Sequence, residues 1–107
     1  MTLEQFRDHL ARQLGIKGRG NALPAEDATY LEEIILNCQD ELERIGVATW
    51  LSSDIPRWAV EGMVLCCKAS ISRFGLDINP ALKKLGVDTL RYIDVDARTG
   101  VGTADYF

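Results

Sequence analysis

The segment SDIPRWAVEGMVLCCKASISRFGLD, residues 53–77, decides the fold because it carries a helix start at one end and a helix stop at the other. Ser53 or Asp54 can cap a helix, and Pro56 is suited to its first turn. Gly75 is a usual residue at a helix end. One helix is therefore predicted across most of this segment.

Apolar or small side chains cover most of the circumference of this helix. At about 100° per residue, one stripe is the expected core face. Its residues are Val60, Met63, Val64, Cys67, Ile71 and Phe74. A second stripe lies on nearly the opposite side, and its residues are Trp58, Gly62, Leu65 and Ala69. We expect either a central helix or one whose second face packs on a neighbouring subunit, with Trp58, Leu65 and Ala69 as subunit contacts.

Two further helices are predicted before this segment. The first runs from Leu3 to Leu14, and Thr2 with Gln5 forms a T-x-x-Q capping box. The second runs from about Ala25 to Ile45, just after Pro24, and its apolar residues recur at steps of three and four. The predicted inward stripe of the second helix is Ala28, Leu31, Ile35, Cys38, Leu42 and Ile45.

A fourth helix is predicted from Asn79-Pro80, a cap followed by proline, to about Asp94. Its predicted inward residues are Leu82, Leu85, Thr89, Leu90 and Ile93. Residues 95–107 have no helical period, contain two glycines and two threonines, and end in two aromatic residues. They are predicted to be either a disordered end or an extended arm that orders on a partner through Val101, Tyr106 and Phe107.

The chain is therefore predicted to be all-α. One four-helix bundle-like domain occupies residues 1–94, and an extended C-terminal arm occupies residues 95–107. Its 107 residues fit a single domain of ordinary composition.

The charge distribution restricts the choice of partners. A net charge of −4 argues against a dedicated duplex-DNA binder, which normally carries a basic stripe. Seven carboxylates and no lysine or arginine lie between Glu26 and Glu43. Glu26, Glu33 and Asp40 are seven residues apart and share one face of the second helix. This face is either simply solvated or a surface that must stay negative.

Patterns typical of catalysis and metal binding are scarce. His9 is the single histidine and has no serine or cysteine close in sequence. Cys38, Cys66 and Cys67 lack C-x-x-C spacing, and their odd number favours buried structural cysteines over a disulfide framework. We expect no catalytic residue, no metal and no cofactor. The longest apolar run, residues 63–67, is too short to span a membrane, and the N-terminus is not expected to be a signal peptide.

The third and fourth helices carry a family resemblance. The run IPRWAVEGMVLCCKASISRFGLDINPAL, followed by KKLGVDTLR, resembles the head–tail connector (adaptor) proteins of tailed bacteriophages and prophages. Such chains often have a Pro-led helix that ends in an aromatic–Gly pair, and then an acidic, Pro-started helix that ends in Leu-Arg. The matching residues are Pro56, Ala59, Leu65, Phe74, Gly75, Pro80, Leu82, Leu90 and Arg91. The resemblance covers residues 31–92, and Cys66-Cys67 depart from the usual Ala or Leu.

The resemblance implies a structural protein of the virion neck that is present in the host cytoplasm during assembly. Family members form a homo-oligomeric ring, commonly a dodecamer, beneath the portal protein. The ring joins the head to a tail or stopper protein, and packaged DNA passes through without specific binding. An acidic wall would repel phosphate, so Glu26, Glu33 and Asp40 are candidates for facing the DNA channel. Val101, Tyr106 and Phe107 are candidates for the portal-binding arm.

Two other functions stay open. The first is a small helical DNA-binding regulator or an antitoxin-like protein-interaction module. A DNA-binding domain of this size needs an exposed basic helix, and the fourth helix, with Lys83, Lys84 and Arg91, is the most basic. The second is a small enzyme with His9 as its base.

Overall fold

The computed structural model of the chain describes residues 1–16 and 22–99, and within them the side chains up to Tyr92. The described residues form four α-helices and a short 3-10 turn. These are α1 (Leu3–Gln13), α2 (Ala25–Arg44), the 3-10 turn (Arg57–Ala59), α3 (Val60–Ala69) and α4 (Pro80–Thr99). No β-strand occurs in these ranges, so the predicted all-α, four-helix fold is confirmed. None of the helices described combines the length and apolarity that crossing a membrane requires.

The start of α1 follows the predicted capping box. The backbone N–H of Gln5 donates to Thr2 Oγ1 at 3.1 Å, and the N–H of Thr2 donates to Gln5 Oε1 at 2.9 Å. Two N–H groups that the first turn would leave unpaired are therefore satisfied locally. Phe6 and Leu10 are completely buried against the rest of the core.

The inward stripe of α2 is confirmed in its centre and wrong at its end. Leu31, Ile35, Cys38 and Leu42 are buried, whereas Ile45 is exposed and follows the last helical residue. Gly46 has a φ of 77°, and the N–H of Val47 donates to the carbonyl of Leu42 at 2.8 Å. This Schellman-type ending turns the chain inward after Gly46, so the buried residue is Val47, two positions after the predicted Ile45.

The third helix is shorter than predicted and ends at Ala69. The Ser70 hydroxyl donates to the Cys66 carbonyl at 3.0 Å, and the N–H of Asn79 donates to the Ala69 carbonyl at 2.9 Å. Both bonds satisfy carbonyls at the helix end, so the backbone can leave the helix there. Phe74, predicted to lie in the helix, has a left-handed φ of 57° and belongs to the following loop.

The loop of residues 70–79 packs on α2 through Tyr30. The N–H of Ser72 donates to the Tyr30 hydroxyl at 3.1 Å, and the rings of Tyr30 and Phe74 meet edge to face at 5.9 Å. The guanidinium of Arg73 lies 4.5 Å from the centre of the Tyr30 ring. Ile71 therefore remains buried even though it lies outside the helix.

The fourth helix begins as predicted and runs further than predicted. Asn79 Oδ1 accepts from the N–H of Leu82 at 3.1 Å, which caps the helix. The helix continues past Asp94 to Thr99, and residues 94–99 contain no glycine or proline that would stop it. The predicted boundary between domain and arm, after residue 94, thus lies inside α4.

The core forms where α3 contacts both α2 and α4, so α3 is the central helix of the domain. The prediction that Leu85 faces inward is wrong, because Gly86 takes the inward position against Cys66 of α3 and Leu85 points to solvent. The largest completely buried side chains are Phe6, Leu10, Leu31, Ile35, Leu42, Ile55, Met63, Ile71, Leu90, Cys66 and Cys67.

Candidate functional site

The acidic face of α2, defined by Glu26, Glu33 and Asp40, is exposed along its whole length. Arg44, one turn after Asp40, approaches its carboxylate at 4.0 Å and is the basic residue of the last turn. The structure therefore brings the three predicted channel-facing residues together on one accessible surface. Their relation to DNA stays a prediction.

A row of exposed apolar side chains, the α4 row, consists of Ile78, Leu85 and Tyr92. Their exposed fractions are 66%, 54% and 75%. Leu85 and Tyr92 are seven residues apart and lie on one side of α4, whereas Ile78 lies in the loop that precedes the helix. The row was not predicted from the sequence, because the helical period placed Leu85 in the core. The seven-residue spacing was the signal that could have found it.

The predicted subunit contacts Trp58, Leu65 and Ala69 are partly or fully covered by their own chain. Ala69 is buried, Leu65 is half-buried, and Trp58 is half-buried with its ring 5.3 Å from that of Trp50, edge to face. The second stripe of α3 packs against α4 at Gly62. A subunit contact through these residues stays a prediction, but α4 already covers much of the face that motivated it.

The three cysteines are free, buried and gathered where α2 meets α3. Cys38 Sγ lies 3.6 Å from Ser70 Oγ and 3.7 Å from the Cys66 carbonyl oxygen. The Cys38 and Cys67 thiols lie close enough for each to shift the pKa of the other. Spacing along the sequence did not indicate this cluster.

The environments of the three thiols differ in their effect on ionisation. The hydrogen bond from Cys67, aided by Ser70 and the charge of Lys83, lowers the pKa of Cys38 to about 7. Burial raises the pKa of Cys66 to about 12. Donation to Cys38, together with burial, raises the pKa of Cys67 well above the usual range. Cys38 is therefore the thiol of the cluster that ionises first.

The basic helix required by a DNA-binding regulator is partly neutralised. Lys83 forms an ion pair with Glu41 of α2, and Lys84 pairs with Asp88 one turn away at 2.8 Å. Two of the three cations on which that alternative depends thus have carboxylate partners.

His9, the candidate base of the enzyme alternative, is half-buried on α1. It borders a cleft of about 390 Å³, and the described residues lining that cleft include Arg57 and Glu61 but no serine or cysteine. Within the described ranges, no three or more His, Cys, Asp or Glu side chains are grouped so that they could hold a metal ion.

The predicted arm residues Val101, Tyr106 and Phe107 lie outside the described residues. Comparison of the chain with protein-family models, with curated proteins and with solved structures finds no match. The case for a function therefore rests on the chain's own residues and on the resemblance that they carry.

Proposed function

We propose that this chain is a structural adaptor of the phage neck. Its subunits would assemble into a ring beneath the portal, each contacting the next through two different surfaces. The observation that carries the proposal is that one subunit exposes two unlike faces, the α4 row and the edge of α2 that carries Leu36. A ring requires a heterologous interface in which two different surfaces of each subunit meet. Packaged DNA would pass through the lumen, and the proposed role involves no catalysis.

The α4 row is the first face. Leu85 and Tyr92 lie on one side of α4 and Ile78 lies in the loop before it, and an isolated subunit leaves each of them more than half exposed to water. Apolar patches of this kind commonly mark interaction surfaces. The exposed charges beside the row are Asp77, Lys84, Asp88 and Arg91, two of each sign, and Lys84 and Asp88 form an ion pair with each other.

The opposing face is the edge of α2 that carries Leu36 and Glu43. Leu36 is an exposed apolar residue, and Glu43 lies seven residues further along the same edge. A second copy of the chain supplies an apolar row with the exposed Arg91 nearby, which matches an apolar residue beside carboxylates in hydrophobicity and, at Arg91, in charge. The occupant that we propose for the α4 row is therefore α2 of the next subunit.

This arrangement leaves the acidic face free to line the channel. Glu26, Glu33 and Asp40 lie beside the Leu36 edge rather than on it. A negative lumen wall would keep phosphates from binding and would let DNA move. The same helix can thus supply both a subunit contact and a wall that repels DNA.

The test uses two variants that each disable one face. Variant A carries Leu85→Asp and Tyr92→Asp, and variant B carries Leu36→Asp. We expect light scattering to show oligomers for the unmodified chain and monomers for A or B alone. A and B mixed in equal amounts should form a heterodimer, because A keeps the α2 face and B keeps the α4 row.

Leu51→Asp is the matched control, since Leu51 is 69% exposed in the loop between α2 and α3. It should leave assembly unchanged. A chain that stays monomeric at every concentration would overturn the proposal, as would a mixture of A and B that remains monomeric. Salt-sensitive binding of duplex DNA by that monomer would favour the regulator.

The portal contact has a separate test. Removing residues 100–107, which include Val101, Tyr106 and Phe107, should abolish binding to the portal protein and leave ring formation intact. Undiminished portal binding by the shortened chain would exclude the arm as the contact.

A further inference from the structure

The thiol cluster, Cys38 with Cys66 and Cys67, is open to small molecules from one side. Cys38 is only 2% exposed, yet it borders a surface cleft of about 330 Å³ between α2, Ser70 and α4. Cys66 and Cys67 are not among the described residues that line this cleft. A small reagent that enters it therefore meets Cys38 first.

The walls of the cleft place charges of both signs around the Cys38 sulfur. Asp40, Glu41 and Arg44 come from α2, and Lys83 comes from α4. Lys83 forms an ion pair with Glu41. The positive charge of Lys83 favours an ionised Cys38, whereas the negative charge of Glu41 opposes it. The element packed behind Cys38, α3, presents the thiols of Cys66 and Cys67.

The cluster contains the two kinds of thiol that are needed to form a disulfide on oxidation. One thiol must ionise near neutral pH and be reachable, and a second must lie in contact with it and remain protonated until needed. Cys38 meets the first requirement through the cleft, and Cys67, a free buried thiol next to Cys38 whose pKa is raised, meets the second. The Cys66 thiol is buried against Gly86 of α4, and it is the carbonyl oxygen of Cys66 that lies 3.7 Å from Cys38 Sγ.

We propose that Cys38 is a hydroperoxide-reactive thiol and that Cys67 is its resolving partner, so that oxidation links α2 to α3 by an intramolecular disulfide. The Cys38 thiolate attacks one oxygen of the hydroperoxide ROOH. The O–O bond breaks, a sulfenic acid forms on Cys38, and the RO⁻ leaving group takes a proton to become ROH.

The Cys67 sulfur then attacks the Cys38 sulfur. The S–S bond forms, the S–O bond breaks, and the hydroxide takes the Cys67 proton to leave as water. Two thiols and one hydroperoxide thus give one disulfide, one alcohol and one water, with two electrons passing from sulfur to oxygen. For hydrogen peroxide the alcohol is a second water.

The test counts thiols in the full-length chain before and after treatment with hydrogen peroxide. Labelling with N-ethylmaleimide in denaturant should add three labels to the reduced chain and one to the oxidised chain, with no increase in covalent mass beyond one chain. Tryptic digestion should then join the peptide of residues 20–44, which holds Cys38, to that of residues 58–68, which holds Cys66 and Cys67.

Single alanine variants assign the partners. Cys66→Ala should still form the cross-link, which then identifies Cys67 as the resolving thiol without further mapping. Cys67→Ala should stop at the sulfenic acid on Cys38, which dimedone traps. Cys38→Ala should lose no thiol, and Lys83→Met should slow oxidation several-fold at neutral pH.

Circular dichroism of each variant checks that it folds. If a variant does not fold, the thiol count and peptide mapping of the unmodified chain still test the proposal. Three thiols that survive peroxide treatment of the folded chain would overturn it. A disulfide between neighbours Cys66 and Cys67, or between two chains, would overturn it as well.

Discussion

Gly62 of α3 and Gly86 of α4 meet where the two helices cross, and neither position has room for a side chain. A Cβ atom on Gly86 would lie 2.9 Å from the Cys66 backbone nitrogen and 3.0 Å from the Gly62 carbonyl oxygen. A Cβ atom on Gly62 would lie 2.5 Å from Cγ of Leu90. At Gly86 the obstacle is two backbone atoms together with Cys66 Sγ at 2.7 Å, whereas at Gly62 the two nearest atoms belong to the Leu90 side chain. This close approach brings α4 onto α3 and covers part of the second stripe of α3, where Gly62 and Ala69 are buried and Trp58 and Leu65 are half-buried.

Gly86→Ala is expected to destabilise the domain more than Gly62→Ala. Alanine improves helix propensity by about 1 kcal/mol at either position, but overpacking costs about 1–3 kcal/mol and is worse where backbone cannot move. We expect a net loss of about 2 kcal/mol for Gly86→Ala in urea unfolding and a smaller loss for Gly62→Ala. Lys84→Ala, on the exposed side of α4, is the control and should change stability little. Equal effects of the two glycine substitutions would contradict the assignment of the obstacles.

Gln39 ties the loop after α2 to the helix. Its Nε2 donates to the Trp50 carbonyl at 2.8 Å and to the Glu43 carboxylate at 2.9 Å. Gln39→Leu leaves the Trp50 carbonyl without this donor, so we expect a loss of about 1–2 kcal/mol in unfolding free energy and a shift in tryptophan fluorescence. Asn37→Leu, at an exposed position of the same helix, should show neither effect. Unchanged stability in Gln39→Leu would mean that the loop is held by other contacts.

The hydrogen bond from the Ser72 N–H to the Tyr30 hydroxyl attaches the loop of residues 70–79 to α2. Tyr30→Phe keeps the ring against Phe74 and removes the acceptor. We expect the Ser72 amide to exchange with solvent faster, with a loss of about 1 kcal/mol in stability. The Asn79 amide, bonded to Ala69, should keep its protection and is the internal control. Protection of Ser72 that survives the substitution would show that another group accepts this bond.

Local chemistry determines much of this fold, which is why the sequence predicts it. The capping box of Thr2 and Gln5 and the cap at Asn79 depend only on residues three apart or fewer, and both are confirmed. The end of α3 could not be predicted in this way. It depends on Asn79 returning to the Ala69 carbonyl, a contact between residues ten apart that follows from tertiary packing.

The orientation of α4 and the formation of the thiol cluster both depend on how the helices pack against one another. Helical period alone allowed Leu85 an inward position, whereas the crossing against Cys66 requires Gly86 there. Likewise, the meeting of Cys38 with Cys67 depends on how α2 and α3 pack, and spacing in the sequence does not contain that information. The exposed acidic face of α2 was predictable. Carboxylates are rarely buried unless they are paired, and no lysine or arginine lies between Glu26 and Glu43.

The thiol cluster should make stability depend on pH in the reduced protein. The Cys38 pKa is about 7 in the folded state against a reference value of 9.0, so between these values the folded state has lost a proton that the unfolded state keeps. Stability should therefore rise with pH from about 7 to about 9, by at most about 1.4 kcal/mol per pH unit. Above about 9 the sign reverses, because Cys66 and Cys67 have raised pKa values in the folded state and ionise more readily when unfolded.

Urea unfolding of the chain and of Cys38→Ala, measured across this range with a reductant present, checks the prediction. The variant should lack the rise between pH 7 and 9, so the stability difference between the two proteins should grow by about 1–2 kcal/mol over that interval. Cys66→Ala should keep the rise and show a weaker decline at higher pH, since it removes one of the two thiols responsible for the decline. A stability difference between the chain and Cys38→Ala that stays flat from pH 7 to 9 would mean that Cys38 is not ionised in the folded protein at neutral pH, and peroxide would then find no thiolate in the cleft.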